Sequence, residues 1–253
     1  MAKIITVANQ KGGVGKTTLV KAIGNYKRLE GYNVLFIDLD QQSNLTWALG
    51  ADPADDTPDA YDVIMKGVHA SRAIIHTEQG DLIQSGADLL GIDTELQAIE
   101  TGREARLKKA LHPIKHKYDY ILIDTPPQSS NIVINALTAS DYLLIPAKAS
   151  VFSIQAIGQL DDLVQLVRTY TNKGLDILGI VINLHDSRTN LEKEIIDMAE
   201  AVAARLDTTV FTSTLRRAIA IEEAHANQTS IFEYAPRAKV TADLKKLIDE
   251  LNI

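Results

Sequence analysis

The segment Ala8-Asn9-Gln10-Lys11-Gly12-Gly13-Val14-Gly15-Lys16-Thr17-Thr18 constrains this chain more than any other, because it places a glycine-rich turn between an apolar run and a helical pattern. Ile4-Ile5-Thr6-Val7-Ala8 reads as a buried strand, and residues 17–29 read as a helix. Glycines at 12, 13 and 15 open backbone conformations closed to residues with a Cβ, so successive N–H groups can turn inward around phosphate oxygens. The positive end of the following helix would face the same anion. Lys16 is placed to neutralise β- and γ-phosphate charge, and the Thr17 hydroxyl to bind Mg²⁺. The ordinary Walker A pattern calls for glycine where this chain has Gln10, so the literal pattern fails. A dinucleotide fingerprint fails as well, since its third glycine would fall at Thr18.

The rest of the chain supplies the frame for such a loop. Short apolar runs at 3–8, 33–38, 81–85, 118–124, 142–147, 176–183 and 209–212 read as strands. Helical patterns at 17–29, 94–112, 131–139, 153–170, 190–206, 218–226 and 240–251 alternate with them. That order predicts an α/β fold: a doubly wound, mostly parallel sheet with helices on both faces, of P-loop NTPase type. The 253 residues, 45% of them apolar, suit one large domain spanning 1–253. Residues 51–62, with two prolines and five acids, read as a surface loop.

In an open parallel sheet, ligand chemistry gathers at the carboxyl ends of strands. Two runs end in aspartate there: Phe36-Ile37-Asp38-Leu39-Asp40 and Ile121-Leu122-Ile123-Asp124-Thr125-Pro126-Pro127, the second of Walker B form. Asn183 ends a third, where its carboxamide could pair with an adenine edge or satisfy turn backbone. The six histidines make no metal-ligand pattern; His112 and His116 have helix-face spacing, but Pro113 intervenes.

The run Lys-Gly-Gly-Val-Gly-Lys-Thr-Thr, with Lys11 five residues before Lys16, resembles the deviant Walker A loop of the ParA/MinD ATPases. With Asp38-Leu39-Asp40-Gln41-Gln42, Asp124-Thr125-Pro126-Pro127, Asp186-Ser187-Arg188-Thr189-Asn190 and Tyr234-Ala235-Pro236-Arg237, the resemblance covers nearly the whole chain and is strongest to small Soj-type ParA partition ATPases. It implies ATP and Mg²⁺ as cofactors and slow ATP hydrolysis. Residues 11–18, that is Lys11, Gly12, Gly13, Val14, Gly15, Lys16, Thr17 and Thr18, would hold the nucleotide together with Asn183. Thr17, Asp38 and Asp124 would hold Mg²⁺, and Asp40 would position the attacking water. Lys11 would reach across an ATP-sandwich homodimer to the partner's nucleotide. The family commonly has proline where this chain has Gln41.

The resemblance also implies binding to DNA without sequence preference and stimulation by a ParB-like protein. Arg188 and Arg217 match DNA-contacting positions of the family; Ala220 replaces a second family arginine, and Arg216 stands at the usual proline. No helix-turn-helix extension is expected, since the loop begins almost at Met1. With no cysteine, the iron–sulfur chemistry of some relatives is excluded. The net charge of −7 argues against a general polyanion-binding surface, leaving a local basic patch. Met1-Ala2-Lys3 has no signal-peptide profile and no apolar run approaches the ~20 residues of a membrane span, so a cytoplasmic, nucleoid-associated protein is expected. Two rivals remain from the residues: a MinD-like membrane-surface regulator, and a positioner of some other cargo. The first would want a basic C-terminal amphipathic helix, but residues 242–251 mix two lysines with three acids, which suits a helix packed on the core.

Overall fold

The computed structural model describes residues 2–128, 130–185 and 190–253. Its strands are β1 (Lys3–Val7), β2 (Val34–Asp38), β3 (Ile74–Thr77), β4 (Gly80–Ile83), β5 (Tyr120–Asp124), β6 (Tyr142–Lys148), β7 (Asp176–His185) and β8 (Leu215–Arg216). They form an eight-stranded sheet in the order β3-β4-β2-β5-β1-β6-β7-β8. Every neighbouring pair is parallel except the β3–β4 hairpin. Its helices are α1 (Lys16–Leu29), α2 (Asn44–Ala48), α3 (Ile92–Gln97), α4 (Arg106–Leu111), α5 (Asn131–Ala139), α6 (Val151–Tyr170), α7 (Asn190–Arg205), α8 (Ile219–Ala226), α9 (Ile231–Tyr234) and α10 (Lys239–Glu250).

Side chains alternate across each strand, which divides the core in two. Leu35, Ile37, Ile121, Ile123, Leu143 and Ile145 pack with α5, α6 and α7 on one face. Val34, Phe36, Leu122, Leu144 and Val181 pack with α1 and α10 on the other. Covering both faces explains why the central strands read as unbroken apolar runs. The expected doubly wound sheet is therefore present.

Two expectations need correction. The helix expected over 94–112 is two short ones, α3 and α4, separated by a turn in which Gly102 takes a left-handed φ of +72°. The strand expected at 209–212 makes only one bridge, Val210 to Ile180, and the edge strand β8 forms further on. Three short elements, α2, β3 and α9, went unread because each is too brief to show a period.

α10 bears on one rival reading. Val240, Thr241, Leu244, Leu247 and Ile248 are buried against the core, whereas Lys245, Lys246 and Asp249 are exposed. The apolar face that a membrane would need is already covered. Leu244→Ala is expected to destabilise the protein by about 3 kcal/mol in urea unfolding. A loss below about 1 kcal/mol would mean that α10 does not pack on the core.

Candidate nucleotide-binding site

The phosphate loop leaves β1 at the carboxyl edge of the sheet and enters α1. Asn9 fixes its entry: its Nδ2 donates to the Pro146 carbonyl (2.7 Å) and its Oδ1 accepts from Lys11 N–H (2.9 Å). Asn183, ending its apolar run beside the loop, donates from Nδ2 to the Val14 carbonyl at 2.7 Å. Gly15 takes φ +93°, and a Cβ there would collide with the Asn183 carboxamide, so both conformation and space demand glycine. Gly15 also caps α1 without any side-chain hydrogen bond, and the first turn carries no acid. The helix N–H groups are thus left to an anion.

Lys16 is 6% exposed and its Nζ lies 3.4 Å from the Lys11 carbonyl. Burial lowers its pKa, opposed by the attraction of Asp124 and Asp40. Lys11 is the opposite case. Its side chain is exposed and makes no hydrogen bond or ion pair with any described residue.

β2 and β5 bring Asp38 and Asp124 into register at adjacent strand ends, beside Val7 at the start of the loop. Both carboxylates are fully buried. Asp38 accepts from Asp40 N–H (3.1 Å) and from the backbone N–H and Oγ1 of Thr46 (both 2.8 Å). Asp124 accepts from Thr17 Oγ1 at 2.6 Å and from Thr125 N–H at 3.1 Å. Burial pushes the Asp38 carboxyl up to about 6 despite those donors. Burial and then repulsion by Asp38 push Asp124 up to about 8, opposed by Thr17 and Lys16. Thr17 Oγ1 and two adjacent carboxylates are a hard oxygen set that favours a small divalent cation, and Mg²⁺ commonly takes one or two protein carboxylates plus substrate phosphates. The residues therefore fit Mg²⁺. Among the described residues no cluster of three or more His, Cys, Asp or Glu offers a competing metal cage, and His112 and His116 are exposed.

Asp40 is held without the family's proline. Its Oδ1 accepts from Gln42 N–H (3.0 Å) and its carbonyl from Ser85 Oγ (2.6 Å). Ser85 N–H in turn donates to Thr46 Oγ1 (3.0 Å), joining the Asp38 and Asp40 supports. Asp40 lines a cleft of about 830 Å³ with Gly12, Lys16, Thr17 and Asn183. Trp47 and Arg217 line it too. Of the basic residues singled out, Arg217 thus stands at the cleft, whereas Arg216 is paired with Asp243 through both Nε and Nη2 (2.5 and 3.0 Å). Arg188 lies outside the described residues. Sequence reasoning missed Thr46, Ser85 and Lys148. Lys148 carries the same signal as the aspartates, a polar residue ending an apolar strand.

The AAA domain family matches residues 2–177. The chain is 38% identical over 251 residues to the sporulation initiation inhibitor protein Soj of Bacillus subtilis, covering 97% of this chain and 98% of Soj. It is 34% identical to the chromosome partitioning protein ParA of Caulobacter vibrioides, covering 88% and 83%. The chain belongs to the ParA/MinD superfamily of P-loop ATPases, Soj type. Among solved structures it resembles cobyrinic acid a,c-diamide synthase of Mycobacterium smegmatis with a bound ATP analogue and magnesium. The TM-score is 0.85 at 31% identity, covering 98% and 93% of the two chains. These likenesses agree with the P-loop ATPase fold and with ATP and Mg²⁺ as cofactors.

Both carboxyls have folded pKa values above the ordinary 3.8, so the stability they contribute is complete at low pH and is lost as pH rises through about 6 and about 8. Nucleotide- and metal-free protein should therefore lose thermal stability over that window. Mg²⁺, which needs the ionised forms, should raise the melting temperature more near pH 8 than near pH 5, by roughly several degrees. Asp124→Asn should flatten both trends in differential scanning fluorimetry; an unchanged pH profile in that variant would refute this assignment of the charges.

Proposed function

We propose that this chain is an ATP-driven molecular switch: ATP closes two copies into a sandwich dimer, the dimer binds DNA without sequence preference, and a ParB-like partner stimulates hydrolysis during plasmid or chromosome partition. The observation that carries this reading is the contrast between its two loop lysines. Lys16 is buried against the loop and compensated by Asp124 and Asp40, whereas Lys11 stands exposed with no partner among the described residues. A cation that serves no group of its own chain is available to the nucleotide of a second one.

Phosphoryl transfer needs charge neutralisation and an aligned nucleophile more than covalent help from the protein. The loop N–H groups and Lys16 would hold the β- and γ-phosphates. Mg²⁺, held by Thr17, Asp38 and Asp124, would neutralise charge between those phosphates. Asp40, fixed by Gln42 and Ser85 at the cleft wall, would orient the attacking water, and Lys11 from the partner would complete the charge. ParA of Caulobacter vibrioides is the relative whose name points to chromosome partition, and Arg217 and Arg188 are the arginines matching the resemblance's DNA contacts. No helix among the described residues is long and apolar enough to cross a membrane, and α10 has its apolar face buried.

Light scattering and ATP turnover test the switch directly. Lys16→Ala should lose ATP binding; Asp40→Ala should bind ATP, dimerise and fall at least about a hundredfold in hydrolysis. Lys11→Ala should remain monomeric with ATP. Asp40→Ala with ATP should be retained on arbitrary duplex DNA in a salt-sensitive way, and Arg217→Glu should weaken that retention. ATP-dependent dimerisation by Lys11→Ala would overturn the sandwich, and retention on anionic liposomes instead of DNA would overturn the partition reading.

A further inference from the structure

Accepting the cleft as a nucleotide site, we infer that Lys148 is a third lysine of that site, contacting the terminal phosphate from within the same chain. Lys148 ends β6, where it stands in register with Asn183 of β7. These two paired residues serve the two left-handed glycines of the loop. Asn183 packs at Gly15, φ +93°, and Lys148 at Gly13, φ +67°, with its Nζ 3.3 Å from the point at which a Gly13 Cβ would stand. The backbone beneath Lys148 is clamped: its N–H donates to Ser153 Oγ (2.9 Å) and its carbonyl accepts from Ser150 N–H (2.7 Å) at the start of α6. The ammonium is thereby delivered to the loop from a fixed base.

Charge makes the contact a ligand contact rather than an internal one. Lys148 is half-buried and lines the cleft, yet it has no ion pair or side-chain hydrogen bond with any described residue. A lysine carries three donors, no acceptor and a full positive charge, so an anion entering the cleft is its best-matched partner. Lys16 already has Asp124 and Asp40. The nearby acids are taken up too, Asp38 by Thr46 and Asp124 by Thr17. The remaining anion is the nucleotide's. Gly15 and the helix N-terminus hold the inner phosphates, so Gly13, two residues upstream, borders the outermost one. Lys148 therefore distinguishes a triphosphate from a diphosphate.

Competition binding with Mg²⁺, ADP and a non-hydrolysable ATP analogue tests this. Lys148→Met, which keeps the aliphatic stem, should weaken the analogue about tenfold, or about 1.4 kcal/mol, and ADP less than about twofold. Lys148→Arg should restore most of the difference. The same split should persist at high dilution in a Lys11→Ala background, where no partner subunit contributes. Equal losses for both nucleotides, or no loss for either, would overturn the inference while leaving the nucleotide site intact. A split that disappears in the Lys11→Ala background would overturn the assignment to the same chain. Failure of the unaltered protein to bind either nucleotide would instead overturn the reading of the cleft.

Discussion

Two like charges buried side by side organise this molecule. Asp38 and Asp124 are register partners on adjacent strands, and neither has solvent to screen it. Each could be relieved by protonation, and both are pushed toward it. The alternative is compensation, and the surrounding structure is arranged to supply it. Thr46 gives Asp38 two hydrogen bonds, Thr17 gives Asp124 one, and Lys16 lies close enough to attract Asp124. These donors moderate the repulsion without abolishing it. A buried pair left partly uncompensated costs stability, and the energy is recovered when a cation binds. The site is thus held in a state that a metal-bound anion completes, which is what a nucleotide-dependent switch requires.

On the other side of β1 from the acids, β6 and β7 shape the loop. Asn9 anchors its start to β6, Asn183 anchors its middle, and the clamped end of β6 delivers Lys148 to Gly13. A glycine-rich segment left to itself would pay heavily in conformational entropy to adopt one shape. Here side chains from two neighbouring strands fix it before any ligand arrives, so little binding energy is needed to order the loop. Parallel topology is the reason these groups converge, since it brings the carboxyl ends of β1, β2, β5, β6 and β7 to one edge of the sheet.

What the sequence revealed follows from this geometry. Buried parallel strands are continuous apolar runs, and a polar residue ending such a run announces itself, so Asp38, Asp124 and Asn183 were legible. The loop was legible because its glycines are required by conformation rather than by preference. Thr46 and Ser85 were not, because a threonine in a five-residue helix and a serine after a strand have no periodicity or motif to mark them; their roles exist only once β2 and β4 pair. The break between α3 and α4 falls at residues 100–104, which carry no apolar side chain and include Gly102, but the apolar spacing on either side, Leu96–Ile99 and Leu107–Leu111, masks so short a gap. Residues 209–212 have the composition of a strand, but only Val210 bridges β7, and the chain then proceeds to Leu215–Arg216 before pairing again.

Arg216 and Arg217 show why residue type alone under-determines function. They are neighbours of identical chemistry, yet Arg216 is held by both oxygens of Asp243, while Arg217 borders the cleft. An arginine whose fork is filled by a carboxylate must give that pair up before it can take a phosphate, so Arg216 begins at a disadvantage as a DNA contact. Among the described residues Arg217 has no such competitor, and it shares a cavity with the phosphate loop. On the proposed reading this adjacency supplies the coupling between nucleotide and DNA. Whatever fills the cleft changes the charge and space around Arg217, so on that reading nucleotide occupancy bears directly on an arginine that would meet DNA phosphate.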